Sequence, residues 1–161
     1  MRKTYSTLSR FLLPVALMAA FLLAISDAAD PLVRDYYTDE RGTQQLYSRA
    51  VVTEGGRTAW LAGQTTLEDA DGNAINGDFD AQVRENFRLI ATHLNQFVGS
   101  VQDIVTMTIY VEDVRNAGAY RIAKEEIFGD GPYPSSAFIG VAGFSRPGVE
   151  VEVKAIAVVG D

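Results

Sequence analysis

The sequence predicts an α+β domain in which one sheet carries two helices on one of its faces. Three observations point to it. Apolar residues recur at spacings of 4, 3, 4 and 3 from Val83 through Phe87, Ile90 and Leu94 to Phe97, which is one stripe of a helix. Several short β-branched runs flank that stretch, the clearest being "VEVEVKAIAVVG" from Val149 to Gly160. Turn residues divide the chain so that the order reads β-β-α-β-α-β-β, with no internal repeat and no low-complexity tract.

Taken in order, residues 1–28 stand apart from the rest. Arg2, Lys3 and Arg10 precede the apolar stretch "FLLPVALMAAFLLAI" (residues 11–25), and small residues follow near Ser26 to Ala29. That is the pattern of a secretory signal peptide, so the protein is expected to be secreted or periplasmic. An uncleaved anchor is the rival reading, but the run is short of the ~20 residues a spanning helix needs and Pro14 interrupts it. After cleavage no stable membrane insertion is expected. Residues 29–43, "ADPLVRDYYTDERGT", are polar and unperiodic and read as an N-terminal arm. The domain proper spans residues 44–161.

Within it, "QQLYSRAVV" (44–52) and "RTAWLAG" (57–63) read as strands around the turn "TEGG". A loop dense in Asp, Asn and Gly follows. The first helix runs from Asp80 to Phe97, capped by Asp78 or Asp80 and ended by Gly99. "QDIVTMTIYVED" (102–113) is a strand, and the second helix covers roughly Arg115 to Phe128 between the cap Asp113 and Gly129. "PSSAFIGVA" (134–142) is the next strand, and the turn Ser145-Arg146-Pro147-Gly148 leads into the last one.

Composition narrows the function. Without residues 1–28 the chain carries eleven basic and twenty acidic side chains, a net charge of −9 that repels phosphate backbones and disfavours nucleic-acid partners. There is no cysteine, hence no disulfide, no lipoprotein acylation and no thiolate metal site. His93 is the single histidine, so a transition-metal centre is not expected, and no phosphate loop or dinucleotide fingerprint is present, so no cofactor is expected.

"DADGNAINGDFD" (69–80) places Asp69, Asp71, Asn73 and Asp80 where a calcium loop has its oxygen ligands. Ala74 stands where such a loop needs glycine and the incoming element is a strand, so a polar turn with a helix cap is the better reading. His93 reads as a helical surface residue, and Tyr36 and Tyr37 as packing residues. One puzzle remains, because Glu150, Glu152 and Lys154 fall on one face of a strand that otherwise reads as buried. The plain reading is a solvated face in which Glu152 and Lys154 partly neutralise each other.

A family resemblance changes that reading. "YSRAV", "LAGQT", "VRENFRLIATHLNQFVGSVQDIVTMTIYVEDV", "YPSSAFIGVA" and "VEVEVKAIAVV" occur in the order and spacing of the RidA/YjgF (L-PSP endoribonuclease-like) family, covering about Tyr47 to Val159. The resemblance implies a chorismate-mutase-like fold, a homotrimer whose sheets close into a barrel, and small-molecule clefts between subunits. It puts Glu152 in such a cleft. In the active deaminase branch an arginine holds the substrate carboxylate, and the glutamate matching Glu152 positions the water that attacks a 2-imino acid. Tyr47, Gly63 and Glu152 keep the family pattern. Ser136 stands where the family's Pro-Ala-Arg-Ser has its arginine, Phe138 replaces a frequent cysteine, Ala62 a serine, and Arg121 an asparagine of the second helix. The expectation is therefore an exported trimer that binds or scavenges a small molecule, with Tyr47, Gly63, Arg121, Ser136 and Phe138 around the ligand and little 2-imino acid deaminase activity. The alternative is a divergent imine or enamine hydrolase with Glu152 as its catalytic residue and Arg121 as the substitute cation. A ribonuclease fits poorly with the charge.

Overall fold

A computed structural model describes residues 31–160. The signal peptide assigned to residues 1–28 and the first two residues of the arm lie outside the described residues.

The rest of the arm is not irregular. Val33–Tyr37 forms a strand, β1, antiparallel to β2 (Ala50–Glu54), with Tyr36 opposite Val51. Between them a short helix α1 (Glu40–Gln44) is capped by Asp39, whose carboxylate accepts a 2.7 Å hydrogen bond from the Gly42 amide. The Arg34 guanidinium ties β1 to the domain by donating to the Val158 carbonyl and pairing with Asp103. Composition could not show this, because a two-stranded ribbon buries little and is held by backbone pairing and one arginine. The expected strand over 44–52 shortens accordingly. Residues 44–49 finish α1 and bend, with the Tyr47 amide donating to the Gly42 carbonyl at 2.9 Å. A Cβ on Gly42 would sit 2.6 Å from the Tyr47 carbonyl oxygen, so the bend requires glycine.

The expected single sheet is divided. β1 and β2 make a two-stranded ribbon, while the main sheet has the order β3-β6-β4-β5, with β3 (Arg57–Trp60), β4 (Ile104–Val111), β5 (Ser135–Gly140) and β6 (Val151–Val159). Gly55 and Gly56 both have left-handed φ, 67° and 69°, and turn the chain out of the ribbon into β3. β6 is antiparallel to β3 and β4, and β4 runs parallel to β5, which requires the helical crossover between them.

That crossover is α3 (Ala117–Phe128), preceded by a 3-10 turn capped by Asp113 and stopped at Gly129, φ 59°. The first long helix, α2, is Phe79–Asn95, capped by Asp78 through a 3.0 Å bond from the Ala81 amide. Val83, Phe87, Ile90 and Leu94 are buried as the stripe predicts. Phe97 is not, being 51% exposed, because the helix has ended before it. Gly99 closes that end by donating to the Leu94 carbonyl, and a Cβ there would meet Val159 at 2.5 Å.

Both helices pack on the same sheet face. On β6 the residues Val151, Val153, Ala155, Ala157 and Val159 are buried beneath them, each large side chain contributing about 1.5–3 kcal/mol of burial. Glu152, Lys154 and Ile156 alternate onto the other face, which no helix of the described residues covers.

Candidate functional site

Glu152 lies on that uncovered face, opposite Tyr110 of β4, with Lys154 opposite Thr108. Its neighbour on the other side is the stretch after β3, where Gln64 and Val153 exchange backbone hydrogen bonds of 2.8 and 3.0 Å. Gly63 therefore runs directly against Glu152: a Cβ at Gly63 would fall 2.1 Å from the Glu152 Oε1. The missing side chain is the space in which the carboxylate lies. We expect Gly63→Ala to push the flexible carboxylate aside with a small stability cost and to weaken any ligand contact made by Glu152. Unchanged ligand affinity in a folded Gly63→Ala variant would show that the carboxylate position is irrelevant.

The remaining predicted residues gather elsewhere. Ser136 is opposite Met107, and Phe138 opposite Ile109, both on the helix-covered face. They line a cavity of about 270 Å³ with Tyr47, Arg41, Arg121 and Lys124. The bend after α1 brings Tyr47 there, since Ser48 bonds to the backbone of Tyr133 and Pro134 just before β5. Arg121 reaches from α3 to the Gln44 carbonyl at 3.4 Å and to Glu125 at 3.6 Å. One chain thus brings Tyr47, Arg121, Ser136 and Phe138 together, and Glu152 and Gly63 together, on opposite sides of the sheet. It does not assemble all six.

Lys124 is the functional candidate that sequence reasoning missed. Its Nζ donates to the Ser136 Oγ at 3.0 Å and lies 5.9 Å and 5.8 Å from the ring centres of Tyr120 and Tyr133. The residue is only 3% exposed. Burial among these rings pushes its pKa down to about 8. A cation supplied by α3 accordingly stands beside Ser136 of β5. The sequence did hold a signal: Tyr120, Lys124 and Phe128 fall at i, i+4 and i+8, so the lysine occupies a position of the buried stripe.

Other candidates fall away from this cavity. The Asp69 carboxylate is engaged within its own loop, accepting from the Asp71 and Asn73 amides at 2.9 Å, and Asp78 caps α2. Among the described residues no group of three His, Cys, Asp or Glu side chains is placed to hold a metal ion. His93 hydrogen-bonds Gln64 at 3.1 Å and borders a larger groove of about 600 Å³ at the sheet edge, lined also by Trp60, Leu61 and Phe97. None of the predicted site residues lines that groove.

The described residues thus form an α+β sheet with two helices on one face, and the predicted ligand residues are divided between the two sides of that sheet. Comparison with known proteins makes this specific. The family model described as Endoribonuclease L-PSP matches residues 38–159, and the chain belongs to that family, also called RidA/YjgF. A RutC family protein of Pyrococcus horikoshii is 26% identical over 111 residues, 69% of this chain and 85% of that protein. Among solved structures, the Rid-family protein YyfB of Yersinia pestis shares the fold at a TM-score of 0.68 and 24% identity, covering 78% of this chain and 98% of that one. A YjgF-family protein of Mycobacterium tuberculosis is 29% identical with a TM-score of 0.56, over 79% of this chain and 100% of that one.

Proposed function

We propose that this is an exported, homotrimeric family member that binds small carboxylic acids in a cleft shared by two subunits. The observation that carries the reading is the division of the site: Arg41, Arg121 and Lys124 with Tyr47 and Phe138 on one side of the sheet, Glu152 and Gly63 on the other. Closure of three sheets into a barrel, as the family resemblance implies, would bring one subunit's Glu152 against its neighbour's cationic cavity. The uncovered sheet face supports this, since it exposes Trp60 (76%) and Ile139 beside Glu152 and Lys154. Arg121 and Arg41 can hold a carboxylate by paired N–H donors. Export is inferred from Arg2, Lys3, Arg10 and the apolar run 11–25.

Light scattering on the chain without residues 1–28 should give about three times the monomer mass, and pyruvate or 2-oxobutanoate should raise its melting temperature. A monodisperse monomer at micromolar concentration would remove the shared cleft, and no shift with either acid would remove the ligand class. Mass spectrometry of protein released by its host should find a new N-terminus between Asp27 and Asp30, whereas an intact Met1 in a membrane fraction overturns export.

The position of Glu152 against Gly63 favours a second reading, an imine or enamine hydrolase in which this carboxylate orients water. Ammonia release from freshly generated iminopyruvate, abolished by Glu152→Gln, would establish it. Absence of release leaves a binding protein.

A further inference from the structure

Lys124 has a geometry that simple carboxylate binding does not need. An arginine or an exposed lysine grips an acid while remaining charged and hydrated, yet this amine is buried at the wall of the cavity with one hydrogen-bond partner, the Ser136 hydroxyl. Its other neighbours are the faces of Tyr120 and Tyr133, and Phe138 stacks against Tyr120 at 5.3 Å between ring centres. Arg121 lies one turn earlier on α3, and Arg41 shares the cavity lining. These guanidiniums stay charged at any working pH, so a ligand carboxylate goes to them and the rest of the ligand is left beside the amine.

We propose that Lys124 Nζ condenses reversibly with the carbonyl carbon of a small 2-oxo acid whose carboxylate is held by Arg121 and Arg41. This rests on the acid-binding reading of the cavity given above. Desolvation in an apolar pocket is an ordinary way to make a lysine amine nucleophilic. Burial lowers its pKa to about 8, so a useful fraction is neutral near pH 7.

The step balances without redox chemistry. The nitrogen lone pair forms the C–N bond as the C=O π pair moves to oxygen and takes a proton, giving a carbinolamine. Loss of the nitrogen's proton and departure of the protonated hydroxyl as water then leave the imine. The Ser136 hydroxyl, 3.0 Å from Nζ, is placed to relay these protons. Amine and ketone become imine and water, and the reverse reaction releases the ligand unchanged.

The chain offers its own control. Apart from Lys3 it has two lysines, Lys124 and Lys154, and Lys154 is exposed on the opposite sheet face. The assembled protein would be treated with pyruvate and sodium borohydride at pH 7, then weighed intact and mapped by peptide. The expected result is one reduced pyruvyl group per chain, on Lys124 in at least roughly tenfold excess over Lys154. Lys124→Arg should lose the adduct. The wild-type ratio of the two lysines decides the matter even if that variant fails to fold. Equal labelling of both lysines, or labelling of Lys154 alone, overturns the proposal. A thermal shift without any adduct overturns the imine and leaves the acid-binding reading standing, while neither a shift nor an adduct overturns both.

Discussion

Replacing Gln82 with alanine is expected to lower the unfolding free energy by about 3–5 kcal/mol. Gln82 is fully buried on the first turn of α2 and its amide is completely used. Nε2 donates to the carbonyls of Ile75 at 2.9 Å and Gly148 at 2.7 Å, and Oε1 accepts from the Glu150 amide at 2.9 Å. One side chain thus joins the loop before α2 to the turn before β6. Alanine would leave the half-buried Glu150 amide without its acceptor, at about 1–3 kcal/mol, would take one of two donors from the Ile75 and Gly148 carbonyls, which keep the Asp78 and Gly77 amides, and would open a void besides. That is a large share of the roughly 5–15 kcal/mol that holds a domain of this size together. Glu152 begins two residues beyond Glu150, so the same change should loosen the carboxylate and weaken ligand binding. Urea titration should show a lower midpoint with an unchanged slope. A loss below about 1 kcal/mol would show that water replaces the amide and that the strap is dispensable.

What could be read from the sequence follows from which interactions are periodic. The α2 stripe and the β6 alternation were legible because burial against one face repeats every 3.6 or 2 residues, and Val83 to Leu94 and Val151 to Val159 obey it. The arm was not, because β1 is held by backbone pairing to β2 and by Arg34 reaching Val158 and Asp103 across the fold. Phe97 matched the stripe but lies past the helix end, where Val98 adopts φ 61°. The grouping of the candidate site residues was not legible. Which face Ser136 shares depends on its parallel register with Met107, and that register is set by the α3 crossover, not by any local pattern. Lys124 was passed over because a lysine counts as solvent-facing by default, although its i+4 neighbours Tyr120 and Phe128 mark a buried row.

Lys124→Met is expected to stabilise the protein at neutral pH by roughly 2 kcal/mol, although it removes a hydrogen bond. The folded chain keeps an ammonium away from water and the unfolded chain does not. The lysine pKa accordingly falls from 10.5 to about 8 on folding. Below about pH 8 both states carry the proton and the penalty is present in full, about 3 kcal/mol before the Ser136 hydrogen bond is offset against it. Between pH 8 and 10.5 the unfolded chain holds a proton that the folded chain has shed, so wild-type stability rises with pH relative to the variant. The advantage of methionine should therefore shrink across that window and be gone by its upper end. A difference between the two proteins that does not change with pH would show that the amine is hydrated. Ser136→Arg extends the test, because it sets a guanidinium within reach of the Lys124 ammonium at 3.0 Å from the present hydroxyl. Alone it should destabilise, and in the Lys124→Met background it should be tolerated, giving a coupling of about 1–3 kcal/mol in a double-mutant cycle. Additive effects would separate the two positions and remove Lys124 from the role of displaced cation.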